Sequence, residues 1–435
     1  MKHPSILSID VGSAFTKLSV RAGWDAIGAL LRDLPSAETD THFCIPSVVA
    51  RVESSGRTEV LIGEAAASQL PGERVTIIRN WKAGLFSNSS SNLRSPDGAR
   101  LDPDQAVAVA VEFFKGLHQS LGAFSFERDV RELPVRVSVP KLEGGKDHTR
   151  LIQQILLDAG WNAPTDVSTV FEPESNAIGI LSRGRNATWT PAVQDFRPLP
   201  ERSIAMQRML EPGIASAFSN MRDHYGVLVT DIGAFTTDLS FIKFDSSFRT
   251  DNWNRPQVTQ ISYELGVSEL DPAVLKVLSG EAQSAISAES STTWEVHKRS
   301  LYAGKASKLA KPTGGTVIVG DGPEAAAIAH EVAVFAGRVC AARAKFRARL
   351  GADRVHTEFL TGGGSKIPIV RAMLGQCIVD DGGIFSDLQD PREPDQAVKA
   401  GAGPMTTSVK ERRVRLNNEL VRGASAIGGA SVFFE

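Results

Sequence analysis

Asp10 and Asp231 each stand at the end of an apolar run and two residues before a glycine. Ile6 to Lys17 reads ILSIDVGSAFTK, and Val227 to Asp238 reads VLVTDIGAFTTD. An apolar run followed by Asp, any residue and Gly predicts a buried strand that ends in a tight turn. Such a turn exposes backbone N–H groups, which together with nearby cations hold phosphate oxygens. An ionised aspartate beside it only accepts hydrogen bonds and suits the waters around Mg²⁺. One such turn is commonplace. Two facing each other across a cleft would clamp a polyphosphate, and their recurrence once in each half is the pattern of a duplicated fold.

Strand-like runs alternate with helical patterns, which predicts an α/β architecture. Ile6–Ile9 and Lys17–Arg21 read as an opening hairpin, followed by strands over His42–Arg51 and Glu59–Ile62. A helix is expected over Asp104–Leu121 after the start signal Asp102-Pro103, then a strand over Leu133–Pro140 and a helix over Thr149–Gly160. Ser168–Phe171 reads as a strand, leading into Glu172-Pro173 and a helix over Ser175–Leu181. Ser182–Tyr225 breaks the regularity and reads as a long insertion with one helix near Ile204–Arg222. Further on, Ala282–Leu309 reads as helical, Thr316–Val319 as a strand and Glu324–Leu350 as a long helix. Glu358–Thr361 is a strand pattern that runs into Gly362-Gly363-Gly364-Ser365 and a helix opened by Pro368. The arginines at 338, 343, 347 and 349 fit a solvated helix face.

Composition sets outer bounds. The 435 residues suffice for two domains or more, and 42% hydrophobic with 23% charged residues is ordinary for a globular protein. A net charge of −2 and a pI near 6.5 argue against a nucleic-acid binder or a membrane-surface binder. Cys44, Cys340 and Cys377 lack metal-ligand spacing and read as reduced, buried residues of a cytoplasmic protein. No signal peptide and no run of 18 apolar residues is visible, so neither secretion nor a membrane span is expected.

The order of motifs resembles the actin–chaperone ATPase superfamily, which includes actin, the bacterial actin MreB and the ATPase domain of DnaK-type (70-kDa) heat-shock chaperones. Asp10–Lys17 is similar to its first phosphate motif and Asp231–Asp238 to its second. Phe171-Glu172-Pro173-Glu174-Ser175-Asn176-Ala177-Ile178-Gly179 resembles the connecting segment, and Phe359 to Pro368 (FLTGGGSKIP) the adenosine motif. Ile45–Ala50, Ile62–Ala66 and Gly266–Asp271 resemble small-subdomain segments, and Pro394–Ala402 the closing segment of the chaperone domain. The resemblance implies a two-lobed actin-like ATPase fold of duplicated ribonuclease-H-like domains with small inserted subdomains. Lobe I would span 1–225, with a small subdomain about 41–104 and an insertion about 182–225. Lobe II would span 226–389, with a small subdomain about 266–320, and 390–435 would return to lobe I.

That resemblance also implies roles. Gly12, Ser13 and Ala14 would meet the β- and γ-phosphates of ATP, with Gly233, Ala234, Phe235 and Thr236 closing from the other side. Asp10 and Asp231 would hold Mg²⁺, largely through its waters, because that ion dehydrates reluctantly. Glu172 would orient the attacking water, a positioning role. Lys17 would reach the phosphates as in actin; Arg79 or Lys82 are the substitutes. Gly266 would open the opposite small subdomain beside the ligand, and Gly362, Gly363, Gly364 and Ser365 would pass close to adenine and ribose. Lys305 and Lys308, at helical spacing, would flank the adenine or be ordinary surface lysines. Ala234-Phe235 departs from the family's three glycines. If either position needs a positive φ, the cost is on the order of 1 kcal/mol, and a phenyl ring there would exclude water and slow turnover.

The implied function is a stand-alone ATP-driven conformational switch of the chaperone-like branch, acting on a protein partner without a peptide-binding domain behind it. An actin-like filament protein is the second reading, favoured by Lys17. A sugar or acetate kinase of the same fold and a binding-only scaffold are the others. No acceptor-site motif supports the kinase, and Phe235 makes the scaffold credible.

Overall fold

The computed structural model describes residues 5–22, 26–29, 44–87, 101–121, 130–143, 148–161, 167–181, 224–245, 257–278, 280, 282, 291–311, 314–386, 423–426 and 428–430. Across these residues the protein is mixed α/β. The first half runs through β1 (Ile6–Val11), β2 (Phe15–Ala22), β3 (Ala26–Ala29), β4 (Cys44–Pro46), β5 (Val49–Ser54), β6 (Arg57–Ile62), α1 (Gly63–Ala67), β7 (Val75–Ile78), α2 (Trp81–Phe86), α3 (Pro103–Leu121), β8 (Val135–Val139), α4 (Thr149–Asp158), β9 (Val167–Phe171) and α5 (Glu172–Leu181). The second half runs through β10 (His224–Ile232), β11 (Thr237–Asp245), β12 (Gln257–Tyr263), α6 (Leu270–Val277), α7 (Ser291–Tyr302), β13 (Ser307–Ala310), β14 (Thr316–Val319), α8 (Gly322–Arg349), β15 (Thr357–Thr361), α9 (Pro368–Asp380) and β16 (Ile384–Ser386).

Two sheets share one plan. The first has the order β3-β2-β1-β8-β9, with β4 also on β2, and the second has the order β12-β11-β10-β15-β16. In each, the strand that carries Asp10 or Asp231 lies at the centre. It pairs antiparallel with the strand after its turn and parallel with a strand that returns after a helical crossover. Central strands covered on both faces need continuous apolar runs. All six residues of β1 are buried, as are all five of β8 and of β15.

Each half has its own apolar core. Leu7, Ile9, Phe113, Phe114 and Leu117 belong to the first; Ile232, Val332, Phe335, Leu360 and Leu374 belong to the second. The start of α3 follows its sequence signal closely. The Asp102 carboxylate accepts from the Gln105 backbone N–H at 2.9 Å, and the Gln105 side chain accepts from the Asp102 N–H at 3.3 Å, a reciprocal cap.

Three expectations need correction. The helix expected over Ala282–Leu309 has its long stretch over α7 and stops at Tyr302. Gly304, at φ +72°, donates to the Leu301 carbonyl, and the Lys305 N–H donates to the Ser300 carbonyl, which is a glycine-terminated helix end. Lys305 and Lys308 therefore do not share a helix face. Lys305 lies in the turn, Lys308 on β13, and both are exposed. Second, the arginines of α8 are not one solvated face. Arg343 is 1% exposed, and its guanidinium donates to both oxygens of buried Glu358 at 2.7–2.9 Å and to Asp381 at 2.6 Å. Third, Cys340 and Cys377 are half-buried neighbours with sulfurs 3.3 Å apart, not isolated core thiols. The expected helix near 204–222 and the closing segment at 394–402 lie outside the described residues.

Among the described helices, α8 alone has the length and hydropathy of a membrane-crossing segment. It lays Ile328, Val332, Phe335, Val339 and Phe346 into the apolar cores on the second sheet.

Removing one partner of a buried ion pair leaves the other charge stranded, at a cost of about 3–5 kcal/mol. Arg343→Met is expected to lower the urea unfolding free energy by that amount. The double variant Arg343→Met/Glu358→Leu should recover most of it, and a double variant no better than the single one would contradict the pairing.

Candidate functional site

β1 delivers Asp10 to the end of the first sheet, where the antiparallel register sets it opposite Lys17 on β2. The Lys17 ammonium donates to the Asp10 carboxylate at 2.8 Å. Between them the turn is closed by the Gly12 N–H on the Phe15 carbonyl at 3.1 Å, and the Ser47 hydroxyl donates to the Gly12 carbonyl at 2.6 Å. A Cβ on Gly12 would lie 2.4 Å from the Phe15 oxygen and 3.1 Å from Lys17 Nζ. Glycine is therefore required by crowding, not by a left-handed backbone.

The second turn repeats the first. The Gly233 N–H donates to the Thr236 carbonyl at 2.8 Å, and Asp231 stands opposite Asp238 across β10 and β11. The loop rests on the segment after β12: Val267 N–H donates to the Gly233 carbonyl at 3.0 Å and Ser268 N–H to the Ala234 carbonyl at 2.9 Å. Gly266 is needed because a Cβ there would sit 2.1 Å from the Ala234 oxygen. It supports the loop from behind and does not line the cavity. Ala234 and Phe235 are not among the residues with positive φ, which for non-glycine residues are Ser55 and Asn80 among those described. The conditional strain cost does not arise.

Glu172 opens α5 instead of sitting in a loop before it, and Pro173 is tolerated in that first turn because the N–H it lacks has no helical partner there. The Glu172 carboxylate is buried and accepts from Lys82 of α2 at 2.5 Å. Further along α5, Asn176 reaches two neighbouring strands of the second sheet. Its amide N–H₂ donates to Asp231 at 2.6 Å, and its oxygen accepts from Thr361 at 3.2 Å.

The glycine run after β15 supplies the third wall. Gly362 has φ +80°, and a Cβ there would lie 2.1 Å from an Asp231 oxygen; one on Gly364 would lie 2.3 Å from Ile232. Gly363 has nothing within 4 Å of its Cβ position and faces the open cavity. Two of the three glycines are thus demanded by protein contacts. Ser365 is buried behind this wall, its hydroxyl donating to the Gly362 carbonyl at 2.8 Å. From α7 come Lys298, Arg299 and Tyr302, on the wall where Lys305 and Lys308 were expected. Lys298 reaches Asp271 at 3.5 Å, and the Tyr302 hydroxyl also donates to Asp271. Residues 423–426 and 428–430 pack onto the first half: Arg136 donates to the Gly429 carbonyl at 2.8 Å, and the Ser175 and Ser425 hydroxyls lie 2.9 Å apart. Ser425 reaches the cavity.

These pieces enclose a cavity of about 360 Å³. Asp10, Gly12, Ser13, Ala14, Lys17, Glu172, Asp231, Gly233, Ala234, Phe235, Thr236, Gly362, Gly363 and Gly364 line it, and so do Lys82 and Asp238. Lys82 was visible only as a substitute for Lys17. Asp238 could have been found from the duplication, because it stands as far after Asp231 as Lys17 stands after Asp10.

Burial out of water dominates the electrostatics. It pushes the Asp231 carboxyl up to about 7, with Lys17 opposing and Asp10 reinforcing. It pushes Asp238 up to about 7, with Asp231 reinforcing. Burial also raises Glu172, against the pull of Lys82. One oxygen of Asp231, one of Asp238 and the Ser13 hydroxyl are buried without a hydrogen-bond partner in the structure, an arrangement that costs free energy unless something polar satisfies them. Among the described residues no group of three or more His, Cys, Asp or Glu is arranged as a direct metal cage. The chemistry on offer is anion capture by turn amides and ammonium groups beside carboxylates with free acceptor capacity.

Neither a family model nor a curated protein matches the chain.

A carboxyl with a raised folded-state pKa binds its proton more tightly when folded, so its contribution to stability is lost as pH rises toward that value. Asp238→Asn removes this term. Its stability relative to wild type should rise by about 1 kcal/mol per pH unit between about pH 4 and about 7, then level off, as read from thermal unfolding across pH. A difference that does not change with pH would contradict the buried, partnerless oxygen.

Proposed function

We propose that the chain is an ATP-binding protein with the two-lobed fold of the actin–chaperone ATPase superfamily, one lobe around each five-strand order. It holds Mg²⁺·ATP between them as a conformational switch for a protein partner. A single observation carries this: two aspartate turns at equivalent positions of two like-ordered sheets open onto one cavity.

The donor set fits such a ligand. Partnerless buried oxygens on Asp231 and Asp238 and the Ser13 hydroxyl supply polar capacity that the protein itself leaves unused. Asp10 and Asp231 would hold Mg²⁺ through its waters, because that ion dehydrates reluctantly. Bound Mg²⁺ supplies charge neutralisation for a polyphosphate. The remaining work falls to side chains and amides. Gly12 and Gly233 spend their N–H groups closing the turns, so Ser13–Ala14 and Ala234–Thr236 would offer theirs from opposite sides, and Lys17 and Lys82 supply ammonium groups. Glu172, anchored by Lys82, accepts a hydrogen bond from water and fixes its direction. Gly363 leaves room at the wall proposed to meet the nucleoside.

Lys17 in the cavity, salt-bridged to Asp10, favours the filament-forming branch as a second reading. Sedimentation with ATP separates the two: a large ATP-dependent pellet supports filaments, and a protein that stays in solution supports the switch.

Titration calorimetry should show saturable binding of ATP that weakens when Mg²⁺ is chelated; no binding at millimolar ATP would contradict the proposal. Phosphate release should fall by about 100-fold in Glu172→Ala, with binding retained. Equal rates would remove Glu172 from the mechanism.

A further inference from the structure

Phe235 belongs to the loop of the second half, and its backbone neighbours are tied there by the hydrogen bonds from Val267 and Ser268. Its side chain belongs elsewhere. The ring is 4% exposed and packs in the apolar core of the first half, the cluster that contains Trp81, Phe86 and Phe113. Phe235 also lines the cavity. One residue thus joins three things: the second phosphate-facing turn, the core of the opposite half, and the wall of the site. Ile232, Leu265, Leu360 and their neighbours, by contrast, pack in the clusters of the second half.

From this geometry we propose that Phe235 is a latch across the cleft, a positioning residue that sets how fast a bound polyphosphate ligand escapes. The inference deepens the reading of the cavity as a Mg²⁺·ATP site and rests on it for the identity of the ligand. Of the carboxylates on the cavity wall, Asp10, Glu172 and Asp238 are each 4–5% exposed and Asp231 is half-buried. A ligand that reaches the three buried ones lies between the two halves, so their separation eases its exit. Separation has two routes, and both are resisted. Either the loop peels away from Val267 and Ser268, which breaks two backbone hydrogen bonds, or the phenyl ring leaves the first core and meets water. An alanine or glycine at this position would leave the halves tied by polar contacts, among them Asn176 and Glu174 of α5, the Lys141–Ser262 pair and Ser87 on Glu264, with no phenyl contact from this loop. The ring therefore keeps the Gly233–Thr236 amides pressed toward the first turn, and release becomes a slow step.

The test compares wild type, Phe235→Ala and Phe235→Leu by stopped-flow release of a fluorescent ATP analogue in Mg²⁺, together with hydrogen exchange of the ligand-free protein. The latch predicts release from Phe235→Ala about 10- to 100-fold faster, the rate equivalent of one buried phenyl group, with Phe235→Leu close to wild type. It also predicts faster exchange in the peptides covering Trp81–Phe86 and Ala234–Asp238, with the α8 peptide Val332–Phe346 unchanged. Unchanged release in Phe235→Ala, or exchange that rises equally in α8, would overturn the latch. Should the wild type fail to bind the analogue, the ATP reading falls while the exchange pattern still decides whether Phe235 ties the halves together.

Discussion

Carboxylates kept out of water beside two lysines are the constraint on which the rest of this structure depends. A buried, ionised carboxylate is costly unless a cation or several donors meet it. The protein meets Asp10 with Lys17 and Glu172 with Lys82, and it meets only one oxygen of Asp231, through Asn176. Asp238 has Thr236 and Ser262 beside it, yet one of its oxygens still lacks a hydrogen-bond partner. Half-satisfied acids of this kind are a debt in the free protein and an affinity for whatever brings positive charge. The neighbouring turns add N–H groups suited to negative charge. A ligand that carries both signs, a cation on a polyphosphate, answers the whole set at once.

The same constraint explains where the backbone is crowded. Each turn must bring a strand end, an aspartate and a free amide to one point, so the glycines there are fixed by clashes with neighbouring main chain. Gly12 is held off the Phe15 oxygen, Gly266 off the Ala234 oxygen and Gly362 off Asp231 itself. The helix α5 then ties the arrangement together. It offers Glu172 to the cavity, Glu174 to Gln260 and Asn176 to Asp231 and Thr361, so one short helix touches both sheets.

Much of this was legible in the sequence, because strand ends and glycine turns leave local signatures. The Asp-x-Gly pairs, the strands on either side of them and the helix starts at Asp102-Pro103 and Pro368 follow from patterns a few residues long. The misses are of another kind. Lys82 and Glu172 are far apart in sequence, so their pairing depends on how α2 and α5 pack. Arg343 reads as one more arginine on a charged helix, and only the position of Glu358 on β15 shows that it is buried. Lys305 and Lys308 looked helical because the helix pattern was carried on past Gly304, whose positive φ ends the helix first. Phe235 was read as a phenyl group beside the ligand, and its role in the opposite core needed the tertiary structure.

The central claim is that Asp10 and Asp231 act on one shared ligand, and a double-mutant cycle tests it most directly. Mg²⁺·ATP affinity would be measured by calorimetry for wild type, Asp10→Asn, Asp231→Asn and the double variant. Groups that meet the same ion are coupled, so the losses should fail to add by about 1 kcal/mol or more. Losses that add within about 0.3 kcal/mol would mean that the two aspartates serve separate places, and the account would be contradicted.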